Sequence, residues 1–156
     1  MQAITEHQQQ GAALLRRGET AADGAHAFLG HAKKAVTRLI NDAAAPDGRA
    51  RTDAQQHAVH GLAWYGTCVA ALQEALAWGQ RLREHGGFGE LEQLMLAAAF
   101  GECLSQLQDG IAMSQSETVR PRDLGLQDAD LAPLRTPDAD WLRAHGNTAA
   151  ARQRIA

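Results

Sequence analysis

Val and Ile together number only 8 in this sequence, against 50 Ala and Leu. β-branched residues favour strands, while Ala and Leu favour helices, so a sheet-based core is disfavoured. Proline is scarce too: Pro46, Pro121, Pro133 and Pro137 are all there is, and none lies between the first two. Proline breaks helix interiors, so this gap leaves room for two long helices. Cysteine is limited to Cys68 and Cys103, far apart and set in apolar stretches. Two such residues make no disulfide framework and show no metal pattern, which points to a reducing cytoplasm. There is no run of Lys or Arg, and 15 basic against 18 acidic residues leave a net charge of −3. That balance argues against a nucleic-acid partner. No apolar stretch reaches the roughly 18 residues of a membrane span. Residues 1–10 are polar and lack a signal-peptide core.

What is present is one ordinary globular domain of 156 residues, 45% hydrophobic and 21% charged. Residues 2–17 read as a short first helix, ending in Leu14-Leu15 and stopping at Arg16-Arg17-Gly18. Thr20 is placed to cap a second helix over 21–42, with an apolar stripe of Phe28, Leu29, Ala32, Val36, Leu39 and Ile40. Residues 41–51 form a loop around Pro46-Asp47-Gly48. A third helix starts at Thr52 or Asp53 and runs to about His85. Its stripe is Val59, Leu62, Ala63, Val69, Leu72, Leu76 and Leu82, with Trp64 and Trp78 as large core anchors. Gly86-Gly87 stops it, and a fourth helix follows over 88–114. Leu91, Leu94, Met95, Ala98, Leu104, Leu107 and Ile111 mark its buried side. The link between the third and fourth helices is so short that they must pack antiparallel.

Beyond Pro121 the pattern shortens. Leu124, Leu126, Leu131 and Leu134 are apolar anchors in an acidic stretch. Thr136-Pro137-Asp138 is a strong helix start: a cap, a proline at the first position, and an acid at the positive end of the dipole. That helix stops at His145-Gly146, and Asn147 or Thr148 is placed to cap a last turn or two. The fold class is therefore all-α: an antiparallel bundle of about four helices over 1–120, with short appended C-terminal helices over 121–156 in the same domain.

Few residues carry chemistry. His57 and His60 share a helix face by their spacing, and Glu102 lies in the apolar part of the fourth helix. A carboxylate bundle site needs a Glu-x-x-His, which is absent. The residues favour a structural polar pairing of His57 or His60 with Glu102 over a metal site. Cys68 and Cys103 read as inert core thiols, for want of a helix N-terminus or a nearby cation. Gly61, Gly66, Gly79 and Gly101 lie inside helices, where each costs about 1 kcal/mol relative to Ala, so they mark close helix approach or space for a ligand. Residues 113–121 read as a helix end with capping-box spacing from Ser114 to Glu117. The other reading of that segment is a docking surface for another domain or an anionic ligand, made by Ser114, Gln115, Ser116, Glu117, Arg120 and Arg122. No catalytic, cofactor-binding or metal-ligating residue is assigned.

His57-Ala58-Val59-His60-Gly61-Leu62-Ala63-Trp64, with Phe88-Gly89-Glu90-Leu91, Gly101-Glu102, Met113-Ser114-Gln115-Ser116-Glu117 and Arg120-Pro121, carries a family resemblance. In order and spacing these segments resemble the N-terminal helical extension of a subset of acyl-CoA dehydrogenases, the methylsuccinyl-CoA dehydrogenase-like group. Leu142 and the stretch up to Ile155, with Gly146-Asn147-Thr148, resembles the last helices of that extension. The resemblance implies an FAD oxidoreductase in the full-length relative, where a glutamate removes the α-proton of an acyl-CoA and the β-hydride passes to flavin. Those functional positions lie in a flavin domain that would begin where this chain ends, so none is carried onto it. The expected role is a non-catalytic, cytoplasmic accessory domain, free of bound cofactor, that packs on the catalytic domain or a neighbouring subunit of a homo-oligomer. The alternative is a stand-alone helical dimerisation module. A third reading is a metal binder working through His57, His60 and Glu102.

Overall fold

The computed structural model describes residues 2–156, with side chains from Gln8 onward. Six α-helices occur in the order α1 (Gln2–Asp42), α2 (Gly48–Ala54), α3 (Gln56–Glu84), α4 (Glu90–Asp109), α5 (Pro137–His145) and α6 (Ala149–Ile155). Between α4 and α5 lie a two-stranded hairpin, β1 (Ile111–Ala112) and β2 (Thr118–Val119), and two 3-10 helices, Pro121–Leu124 and Asp128–Leu134. The fold is an all-α bundle with short C-terminal helices, as the composition implies.

The two helices expected before residue 43 are one. The physical reason is a seven-residue repeat. Gly11, Gly18, Ala25 and Ala32 fall on one buried row. Leu14, Ala21, Phe28 and Ala35 form a second, and Leu15, Ala22, Leu29 and Val36 a third. Such a repeat keeps one face toward its partners along the whole helix. Gly18 is therefore a packing position and not a stop. A Cβ there would stand 3.2 Å from Leu76 Cδ1 and 3.4 Å from Phe100 Cζ. Thr20 caps nothing, because its hydroxyl donates back to the Arg16 carbonyl.

The loop after α1 is shorter than expected. Asp47 caps α2, accepting from the Ala50 amide at 2.9 Å, and the long helix α3 then starts at Gln56. Its partners along α1 run in reverse order: Gly18 meets Leu76, Leu15 lies over Gly79, and Phe28 meets Tyr65. The two helices are thus antiparallel. At the end of α3, Gly86 takes φ 74°, and the Gly87 amide closes on the Leu82 carbonyl at 2.8 Å. That is the left-handed stop that glycine permits. α4 returns antiparallel and buries Leu96, Phe100, Leu104 and Leu107.

Three parts of the expected core are corrected. Trp64 is 40% exposed and does not anchor the core, whereas Trp78 packs against it. Leu91 and Met95 are exposed at 45% and 44%. Ala63 is exposed as well. The buried face of α3 is instead Ala58, Gly61, Tyr65, Cys68, Val69, Leu72 and Gly79. Both helices carry apolar residues around most of their circumference, so apolarity alone does not say which side faces inward.

The C-terminal anchors are as expected. Leu124, Leu126, Leu131, Leu134 and Leu142 are buried in the same core as the α1 and α3 residues. Thr136 Oγ1 accepts from the Ala139 amide at 3.2 Å, and Thr148 Oγ1 from the Ala151 amide at 3.1 Å. We expect Thr136→Ala to cost about 1 kcal/mol through loss of that cap, read from the shift of a urea unfolding midpoint.

Candidate interaction surface

The segment resembling a docking surface is a hairpin clasped to α3. Gly110, at φ 126°, turns the chain out of α4, so that helix ends well before Ser114. Ile111 pairs with Val119 and Ala112 with Thr118. Ile111 and Val119 point into the core, which seats the hairpin. Val119 rests on Gly61, where a Cβ would collide with it and stand 3.2 Å from Leu124 Cδ2. The buried Tyr65 hydroxyl reaches the Val119 carbonyl at 3.5 Å. Burial, aided by Asp123, pushes that phenol well above its ordinary range, so it stays a neutral donor.

The capping box expected from Ser114 to Glu117 is corrected. The Met113 and Ser114 amides both donate to the Glu117 carbonyl, at 2.8 and 3.2 Å, which closes a hairpin turn. The reciprocal box lies further on, where Asp123 Oδ2 accepts from the Arg120 amide at 2.7 Å. Ser114, Gln115, Ser116, Glu117, Arg120 and Arg122 are all exposed, on the turn and the first 3-10 helix.

The structure separates the three residues grouped as a polar cluster. His57 Nδ1 meets Glu117 Oε1 at 2.9 Å, with Asp123 Oδ2 at 4.0 Å from Nε2. His60 stacks on Trp64, ring centroids 6.5 Å apart. Glu102 belongs to another junction: its two oxygens accept from Asn147 Nδ2 at 2.7 Å and Gln106 Nε2 at 2.8 Å. His57 thus fastens the hairpin, and Glu102 fastens the link between α5 and α6. Among the described residues, no group of three or more His, Cys, Asp or Glu side chains is placed to hold a metal.

Three of the four helical glycines flagged from sequence are close approaches. Gly61 sits under the hairpin, Gly79 under Leu15, Leu96 and Phe88, and Gly101 against the backbone of α5. Gly66 faces open space. In the run Gly86-Gly87-Phe88-Gly89, the amides of Gly86, Gly87 and Gly89 donate within the turn that joins α3 to α4.

A second feature escaped sequence reasoning. A groove of about 660 Å³ runs between α1, α4 and the C-terminal helices, floored by Leu14, Leu94 and Ala97. Trp141 forms its wall, 37% exposed. The Arg17 guanidinium lies 4.6 Å over the Trp141 ring and pairs with Asp138 at 2.6 Å. His145 stacks on the same ring at 4.9 Å. Arg154 and Glu90 form an ion pair at the rim. No pattern in the sequence joins Arg17 to Trp141, since they meet only through the bundle.

No family model matches the chain. Over 114 residues, however, it can be compared with a known enzyme. The chain is 42% identical there to (2S)-methylsuccinyl-CoA dehydrogenase of Cereibacter sphaeroides. The match takes in 70% of this chain and 20% of that dehydrogenase. The chain therefore spans about a fifth of the length of the curated relative it matches. This identity agrees with the resemblance read from the sequence segments above. No helix among the described residues is long and apolar enough to cross a membrane.

Proposed function

We propose that this chain is the N-terminal helical accessory domain of an FAD-dependent acyl-CoA dehydrogenase of the methylsuccinyl-CoA dehydrogenase-like kind. The carrying observation is the identity over most of this chain to a minor part of that dehydrogenase. The domain is non-catalytic and works in the cytoplasm by packing against the flavin domain or a neighbouring subunit of a homo-oligomer. FAD belongs to that flavin domain, where it would take the hydride from the acyl-CoA substrate. What this chain contributes is surface. Among the described residues, its exposed large apolar side chains are Trp64, Leu91, Met95 and Trp141. Exposed apolar residues gathered on a face favour a protein partner. Leu91 and Met95 are one helical turn apart on α4, hence on one face. The exposed hairpin turn, with Arg120 and Arg122 beside it, supplies a polar contact segment.

The test mixes the purified chain with the flavin-loaded flavin domain of such a dehydrogenase, from which the N-terminal helical domain has been removed, and follows the mixture by sedimentation velocity. A complex is the expected result. We expect Leu91→Ser combined with Met95→Ser to weaken it at least about tenfold, or 1.4 kcal/mol. Folding stability should stay within about 0.5 kcal/mol, because both side chains are already exposed. A chain that stays monomeric and free of the flavoprotein at every concentration overturns the proposal. A concentration-dependent dimer that ignores the flavoprotein overturns it equally, in favour of a stand-alone dimerisation module.

A further inference from the structure

The two free cysteines mark where α3 and α4 touch: the Cys68 thiol donates toward the Cys103 carbonyl oxygen at 3.7 Å. Trp64 and Ala71 stand one helical turn to either side of Cys68, and Ala99 one turn from Cys103, so all three lie along that seam. They are nevertheless exposed. The seam therefore has an outer side, bordered by two rows of side chains. On α3 the row is His60, Trp64, Thr67, Ala71, Glu74 and Trp78, which follow one another by alternating steps of four and three. On α4 it is Leu91, Met95, Ala99 and Glu102. All of them are exposed but Trp78, which is half-buried. Alternating steps of four and three are the repeat of a coiled-coil seam, which keeps one line of a helix turned toward a partner helix. α1 carries such a repeat on its buried side, whereas on α3 this one runs along the outside.

Shape and charge describe the occupant. Large side chains stand at the two ends of the face, Trp64 at one and Trp78, Leu91 and Met95 at the other. Thr67, Ala71 and Ala99 lie between them, and small residues there leave a saddle that a helix can approach closely. A helix facing water normally carries charges of both signs on its outer side. Here no Lys or Arg occurs from Thr52 to Gln80 or from His85 to Val119. Glu74 and Glu102 are the carboxylates of the two rows, and among the described residues neither is in an ion pair; the Glu102 oxygens accept only from neutral amides. We infer that this face takes one amphipathic helix of a partner protein, laid along the α3–α4 seam, with its apolar side on the two rows and Lys or Arg at its flanks to meet Glu74 and Glu102. On the accessory-domain role proposed above, on which this assignment rests, that helix belongs to the flavin domain. A second copy of this chain is the poorer occupant. In a two-fold pairing the same surface meets itself, so Glu74 and Glu102 would be offered carboxylates and no cation.

The test titrates the whole chain with the same flavin domain and reads the dissociation constant by calorimetry. Ala71→Arg sets a long side chain in the middle of the saddle and should weaken the complex at least about tenfold. Its urea midpoint should not move, because Ala71 is already exposed. Glu74→Lys should weaken the complex about three- to tenfold at low salt, and that loss should shrink as salt rises and screens the charges. Gln115→Arg, on the exposed hairpin turn, should leave binding unchanged. In the wild-type complex, amide hydrogen exchange should slow on one continuous helical stretch of the flavin domain, with apolar residues at helical spacing and Lys or Arg beside them. A complex that forms but ignores Ala71→Arg, or that only Gln115→Arg weakens, overturns the inference and leaves the accessory-domain role standing. Protection confined to a strand or loop of the flavin domain overturns it in the same way. No complex at all removes both. A dimer of this chain that Ala71→Arg dissolves gives the face to a second copy and overturns the inference equally.

Discussion

Phe28→Ala is expected to cost about 3–5 kcal/mol of folding stability, a large part of the roughly 5–15 kcal/mol that a domain of this kind has. Phe28 is fully buried on α1, and its ring lies 5.7 Å from that of Tyr65 on α3. Removing it leaves a cavity at the contact between the two longest helices. Neither the backbone of α1 nor that of α3 can collapse into the gap without dragging a heptad row with it. The cost should therefore fall at the upper end for an aromatic truncation. Trp64→Ala is the informative control. It removes a larger side chain from a site already 40% exposed, and should cost less than about 1 kcal/mol. Equilibrium urea unfolding of the two variants, followed by far-ultraviolet circular dichroism, decides the comparison. A Trp64 variant as damaged as the Phe28 variant would mean that the bundle packs on a different face of α3.

That contrast also marks how far the sequence was legible. α1 was readable as apolar over 21–42, and Phe28, Leu29, Ala32 and Val36 are buried as the stripe required. Gly18 misled because local propensity counts its missing side chain as a loss. Packing uses that same absence to admit Leu76 and Phe100. The C-terminal caps were legible because a cap depends on a few adjacent residues: Thr136 and Thr148 each find an amide three positions on. The faces of α3 and α4 were not, since Ala, Leu and Gly occur all round both helices. Tyr65 shows this well, being fully buried beside an exposed Trp64. At the surface, the exposed segment around Ser114 was visible as an unusual run. Its form was hidden, because the hairpin depends on Gly110 at a positive φ and on Val119 seating over Gly61, fifty-eight positions away in the chain. The partners of His57 and Glu102 were hidden for the same reason. A histidine at the start of a helix offers no local clue that its carboxylate will come from a turn two elements later.

Gly146→Ala carries the second large expected effect, a loss of about 3 kcal/mol or more, because it forces a methyl group into backbone. Gly146 ends α5 at φ −71°, a conformation that any residue adopts, so strain in the dihedral is not the issue. The obstacle is α4. A Cβ at Gly146 would stand 2.8 Å from the Ala97 carbonyl carbon and inside the contact distance of its oxygen. A flexible side chain could swing aside, but a carbonyl in the middle of a helix cannot. Gly101 meets the same junction from the other side, where a Cβ would be 2.8 Å from the Leu142 carbonyl oxygen and 2.9 Å from the Asn147 amide. Two glycines thus let α4 and the α5–α6 link touch backbone to backbone, and Glu102 with Asn147 ties the contact. Gly66→Ala supplies the opposite sign. That glycine also lies inside a helix, but nothing stands within 4 Å of its Cβ position. There the added methyl only restricts the unfolded chain and favours the helix, so the variant should gain about 0.5–1 kcal/mol. Urea midpoints that move down for Gly146→Ala and up for Gly66→Ala would show that the same methyl group is read by its surroundings. Equal shifts in one direction would mean that α5 does not press on α4 at Ala97.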